Sequence, residues 1–198
     1  MQVLSILSNA IILLGTILCI LSDLNHCKGT AHPYVTFRYF TTLSNVLCAL
    51  SALCVLCCRI FAGDIPAWAN LFKFIGTTSV FVTFVTVCLF LYPRSKDKGL
   101  FLRTGLHMHV VAPLLAVISF AFFERGIALS FAQSLTGLIP TVLYGVAYLY
   151  MVIIRGEEKG GWPDFYGFAK GIFWPISMGF MFAGTFVLEG LLVLMHNG

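Results

Sequence analysis

Residues 39–58 read YFTTLSNVLCALSALCVLCC, twenty consecutive positions without a charge, framed by Arg38 and Arg59. A helix rises ~1.5 Å per residue, so this stretch covers ~30 Å, the thickness of a bilayer's hydrocarbon core. Five further runs have the same character: Met1–Ser22, Phe74–Pro93, Thr104–Phe123, Gly126–Ile154 and Gly171–Leu188. Backbone polar groups in lipid must pair within the protein, which demands helices for runs this long. Barrel strands would be about half the length and would alternate in polarity. The sequence therefore predicts an all-α polytopic membrane protein, a six-transmembrane-helix bundle. Its helices are expected at about 2–22, 38–61, 71–92, 104–124, 132–154 and 171–195, in a single integral membrane domain over 1–198.

Composition agrees. Of 198 residues, 59% are hydrophobic and only 10% charged, against roughly 25% charged in soluble domains. That balance excludes an ordinary soluble fold, a disordered chain and a nucleic-acid-binding module. The first run has no Lys or Arg before it and ends on Ser22-Asp23, which is a poor cleavage site. It is read as a retained helix. Of seven cysteines, only Cys27 lies outside the apolar runs. The others read as small buried hydrophobes, and Cys54-Val55-Leu56-Cys57 has no second pair to make a metal or redox motif.

The basic residues are distributed unevenly. Lys28, Arg38, Arg94, Lys96, Lys98, Arg103, Arg155, Lys159 and Lys170 fall on one side of the expected bundle. Arg59, Lys73 and Arg125 fall on the other. The positive-inside rule makes the first side cytoplasmic, with both termini on the far side. Tyr39, Tyr92, Trp162, Tyr166 and Trp174 stand near helix ends and read as an interfacial belt. The halves show no repeat that would indicate an inverted-repeat transporter.

Polar residues in lipid are functional candidates. Arg38, Thr41 and Asn45 lie at i, i+3 and i+7, on one helical face. Thr41 stands ~4.5 Å past Arg38, and His109 ~9 Å past Arg103, so both sit at shallow depth under the same membrane face. His107 and His109 are two residues apart and point to different faces. Mid-membrane charge is lacking, and Pro113, Pro140 and Pro175 are positioned to break helices. The histidines lack clustered carboxylates, so no metal is expected, and no Gly-rich loop calls for a nucleotide or other cofactor.

Four blocks carry a resemblance. Arg38-Tyr39-Phe40-Thr41-Thr42-Leu43-Ser44-Asn45 resembles the start of the second helix in the androgen-induced-protein family and its six-helix microbial relatives. His109-Val110-Val111-Ala112-Pro113 is similar to that family's histidine followed by proline. Gly161-Trp162-Pro163-Asp164-Phe165 and Leu188-Glu189-Gly190 resemble its loop before the last helix and a glutamate within that helix. The resemblance implies a membrane-embedded hydrolase of fatty acid esters of hydroxy fatty acids, with Thr41 as nucleophile and His109 as base. Two departures are present. Ser44 stands where animal members carry aspartate, and Thr104-Gly105-Leu106-His107 replaces the family's Asn-His segment.

The chemistry is coherent. A threonine hydroxyl needs an adjacent base, and histidine can take the proton and return it to the leaving alcohol. Arg38 could hold a carboxylate head group, Asn45 could donate to an oxyanion, and His107 joins them as a substrate-binding candidate. The implied partners are a lipid or fatty-ester substrate and the bilayer itself. The competing reading is a non-enzymatic small transporter, channel or lipid-binding bundle. Glu189 is expected at the end of its helix away from Thr41, paired with Arg59, Lys73 or Arg125.

Overall fold

The computed structural model describes residues 1–30, 32–167 and 174–198. Six helices are long and apolar enough to cross a membrane: α1 (Gln2–His26), α2 (Phe40–Ala62), α3 (Ala67–Ser95), α4 (Thr104–Phe123), α5 (Phe131–Arg155) and α6 (Trp174–Asn197). The protein is thus a multi-pass helical bundle by length and composition. Lys170 and the expected start of the last helix at 171 lie outside the described residues.

The bundle is polar inside and apolar outside. On α1, Ser5, Ser8, Asn9, Ile12, Thr16 and Cys19 are buried, at steps of three and four residues that mark one face. Leu4, Leu7, Ile11, Leu14 and Leu18 are exposed on the remaining surface. Lipid is as apolar as leucine, so hydrophobicity does not drive helices together there. Small and hydrogen-bonding residues gather at the contacts instead. One core cluster joins Ile12, Cys48, Ala52, Val80 and Ala116 from α1 to α4. A second joins Phe74, Val117 and Phe120 to Leu129 and to Leu192 of α6. Half of the apolar window of α3 is buried, against 22% for α5 and α6. Helix α3 is accordingly the hub, packed on α2, α4 and α6.

Boundaries differ from the sequence expectation where charge was taken as a stop. Helix α1 continues through Asp23 to His26, because a charged residue at the interface meets water without breaking backbone bonding. Helix α2 begins at Phe40, since Val35–Arg38 form a separate 3-10 turn. Helix α3 begins at Ala67, directly after Pro66. That start draws Lys73 into the second turn, and Lys73 is fully buried. Glu124, at the end of α4, is 3% exposed. Both charges lie near one end of the bundle rather than at its middle, and both are buried there.

Glu189 also differs. It is 1% exposed, yet neither carboxylate oxygen has a hydrogen-bond partner among the described residues. Its carboxylate lies over Gly137 of α5 rather than on Arg59, Lys73 or Arg125.

Candidate functional site

The turn carrying both histidines, His107–Val111, is π-helical. Pro113 follows and has no N–H with which to close the preceding α-helical turn. The Ala112 N–H instead reaches the His107 carbonyl, five residues back. Such widened turns are frequent at functional sites. Here the turn sends its two imidazoles in different directions.

His107 faces α1. Its Nε2 lies 3.5 Å from Thr16 Oγ1, and its ring rests on Gly15, where any Cβ would collide with it. His109 faces the loop between α3 and α4. Its Nδ1 is 2.6 Å from the Leu100 carbonyl oxygen. A carbonyl only accepts, so Nδ1 carries a proton, and when the ring is neutral Nε2 is the unprotonated acceptor. Nε2 has no hydrogen-bond partner among the described residues.

Leu100 is held by local geometry. Asp97 Oδ1 accepts from Gly99 N at 2.8 Å and caps the 3-10 turn Lys98–Phe101. Gly105 allows this turn to press on α4: a Cβ there would stand 2.6 Å from the Gly99 carbonyl oxygen and 2.8 Å from that of Leu100. Between turn and helix, Arg103 takes φ +50°, a conformation rare outside glycine.

Helix α2 meets α4 at the same level. Asn45 Nδ2 donates to the Met108 carbonyl at 3.0 Å and to the Thr41 carbonyl at 2.8 Å. Both amide hydrogens are thus used within the bundle, and Oδ1 is the buried atom without a partner. In this arrangement Asn45 ties α2 to the histidine turn and has no donor left for an oxyanion. Thr41 stands one turn, ~6 Å along the axis, from Asn45 on the same face.

The neighbouring hydroxyls separate cleanly. Thr42 is buried and 3.0 Å from Thr36 Oγ1, which also donates to Asp23. Ser44 is bound to Thr83 Oγ1 at 2.8 Å and to the Thr41 carbonyl. Thr41 is half-buried, and its hydroxyl makes no hydrogen bond among the described residues, to His109 or to any other group. The structure thus brings Thr41 and His109 onto facing helices without joining them directly. It sets His107 apart against α1. The Arg38 guanidinium has no hydrogen bond or ion pair among the described residues, while the Arg38 carbonyl accepts from Tyr144 Oη at 2.8 Å.

Sequence reasoning treated Tyr166 as part of an interfacial belt, and its position is more specific. Tyr166 Oη accepts from Phe40 N at 3.0 Å, satisfying an amide at the open start of α2. Tyr39 packs on Phe165 with centroids 4.6 Å apart, and Phe40 packs on Tyr144 at 5.1 Å. Burial pushes the Tyr166 hydroxyl up to about 12, opposed in part by the Phe40 N–H. The aromatic loop before α6 is therefore the cap of the Thr41 segment. Its sequence signals were the aromatic belt residues Trp162 and Tyr166 and the resemblance block Gly161–Phe165.

Among the described residues, no three His, Cys, Asp or Glu side chains are grouped as metal ligands would be. Comparison of the chain with known protein families, with curated proteins and with solved structures finds no match.

Proposed function

We propose that this protein is a membrane-embedded lipid-ester hydrolase, with Thr41 as nucleophile and His109 as general base. The observation that carries the reading is the His109–Leu100 bond. It assigns the Nδ1 proton to a fixed acceptor and leaves Nε2 as the basic nitrogen, on the helix that Asn45 ties to the Thr41 face. Support also comes from the contrast among hydroxyls: Thr42 and Ser44 are bonded to neighbours, and Thr41 is not.

In this reading the ester carbonyl binds between the two helices. Nε2 takes the Thr41 hydroxyl proton as Oγ1 attacks the carbonyl carbon. The imidazolium then protonates the departing alkoxide, leaving an acyl-threonine. Water, deprotonated by the same nitrogen, releases the fatty acid. Fatty acid esters of hydroxy fatty acids fit the shallow position, because they partition into lipid and carry a carboxylate that Arg38 can meet at the interface. The basic face is cytoplasmic and both termini lie on the other side.

Labelling of detergent-purified protein with a fluorophosphonate probe tests the reading. Thr41→Ala and His109→Ala should lose labelling, and Thr42→Ala should retain it. Undiminished labelling of a folded Thr41→Ala protein would remove Thr41 as nucleophile. The second reading, a transporter or lipid-binding bundle, is favoured by a different observation: Lys73 and Glu124 are charged and buried at the opposite end of the bundle.

A further inference from the structure

Opposite the basic face, the loops after α2 and α4 enclose a cavity of about 280 Å³. Its wall includes Arg59, Asp64, Asn70, Glu124, Arg125 and Ile127. Beneath it lies a polar cluster. Glu124 Oε1 accepts from Ser5 Oγ at 3.1 Å, from Ser119 Oγ at 2.6 Å and from Asn9 Nδ2. Asn9 Oδ1 in turn accepts from Lys73 Nζ at 2.7 Å. Residues of α1 and α4 thus fix one carboxylate oxygen from below, with Lys73 of α3 behind Asn9.

The other oxygen is unused. Among the described residues, Glu124 Oε2 is buried with no hydrogen-bond partner, on a side chain 3% exposed. Asn70, 2% exposed, donates through Nδ2 to the Ile127 carbonyl, and its Oδ1 also lacks a partner. Arg59 Nε is a third buried atom without a partner, here a donor. Unsatisfied buried polar groups are costly and rare, and three of the residues that line this cavity each carry one. Two are acceptors and one is a donor. The four charged wall residues, Arg59, Arg125, Asp64 and Glu124, cancel in sign.

We infer that this cavity binds a small zwitterion, its ammonium donating to Glu124 Oε2 and Asn70 Oδ1 and its anionic group accepting from Arg59. Arg59 Nη1 already donates to the Gly63 carbonyl, so a free cation would satisfy the acceptors and leave Arg59 Nε unanswered, and a free anion would do the reverse. The volume suits an amino acid or a phosphoethanolamine group. At a membrane interface the second can come from a lipid headgroup. The site is separate from Thr41 and independent of the hydrolase reading.

Thermal unfolding tests the inference. In detergent, glycine and O-phosphoethanolamine are compared with ethanolamine alone and inorganic phosphate alone. In nanodiscs, phosphatidylethanolamine is compared with phosphatidylcholine, whose quaternary ammonium has no N–H to donate. A zwitterion at about a hundredfold excess over its Kd should raise Tm by roughly 5–10 °C. Ethanolamine and phosphate should each give much smaller shifts. Stabilisation by phosphatidylethanolamine over phosphatidylcholine identifies a headgroup site, and stabilisation by soluble glycine identifies a free amino acid.

Glu124→Gln should abolish the shift, because an amide nitrogen then faces the ammonium. If that variant does not fold, Ile127→Trp decides, since it fills the cavity from an exposed position. No shift with any zwitterion, equal shifts with ethanolamine or phosphate alone, or a shift that survives Ile127→Trp would overturn the inference.

Discussion

The Nδ1 atom of His109 lies 2.6 Å from the carbonyl oxygen of Leu100, nine residues earlier in the chain. This contact gives the neutral imidazole a defined tautomer. It depends on a short turn pressed against α4, and the turn depends on Gly105 having no side chain.

Gly105→Ala should therefore act on His109 from a distance. Its methyl group would force the Gly99 and Leu100 carbonyls away, freeing the ring to change tautomer and rotamer. Ester turnover is expected to fall at least tenfold, with much of the loss in kcat. Gly15→Ala is the matched control. It displaces His107 toward solvent, lowering Tm while leaving His109 and turnover near normal. Steady-state kinetics alongside thermal melts distinguish the two.

Thr41 and Thr42 should exchange their consequences. Thr41→Ala removes a hydroxyl with no partner among the described residues, so stability changes little and turnover disappears. Thr42→Ala breaks a buried bond to Thr36, costing about 1 kcal/mol of stability with turnover largely retained. The Thr41→Ala/His109→Ala double variant should be no slower than either single change, as expected for parts of one unit.

Lys73 and Glu124 should be coupled although Asn9 stands between them. Lys73→Met leaves a buried carboxylate without a compensating charge and is expected to cost roughly 3–5 kcal/mol. Adding Glu124→Gln removes that charge and should recover part of the loss. A double-mutant cycle by equilibrium unfolding measures the coupling. Strict additivity would show that the two groups do not sense each other through Asn9.

Tyr166 supplies a pH dependence. Its hydroxyl is pushed up to about 12 from an ordinary value of 10.0, so the neutral form is the one the fold favours. The contribution is complete below pH 10, where Tyr is neutral in both folded and unfolded chains. Between pH 10 and about 12 only the unfolded chain ionises, and the contribution is lost. Wild-type stability should decline relative to Tyr166→Phe across that window, and the difference should be flat below it. Denaturant unfolding at stepped pH measures this.

The six helices were legible in residue order because bilayer thickness is a one-dimensional constraint. Any uncharged run of about 20 residues answers it, whatever its neighbours. Helix ends were less legible, because Asp23 and Lys73 are charges that a helix accommodates once water or a partner meets them. Depth along separate helices suggested that the Thr41 and His109 segments share one level, and Asn45 joins the two helices there. Sequence could not show that His109 turns to Leu100 and His107 to Gly15, because a π-helical turn alters the angle between successive side chains.

Composition and charge spacing by themselves determined the all-helical class and the number of helices long and apolar enough to cross a membrane, since both follow from the cost of exposing peptide groups and charges to lipid. Only the tertiary structure decided which polar residues share a site. Ser5, Asn9, Lys73, Ser119 and Glu124 come from three helices and the end of one of them, with up to 119 residues between hydrogen-bonded partners. Each reads alone as an ordinary polar residue in or beside an apolar run. Their meaning arises because a buried carboxylate requires donors, and packing alone determines which helices bring them.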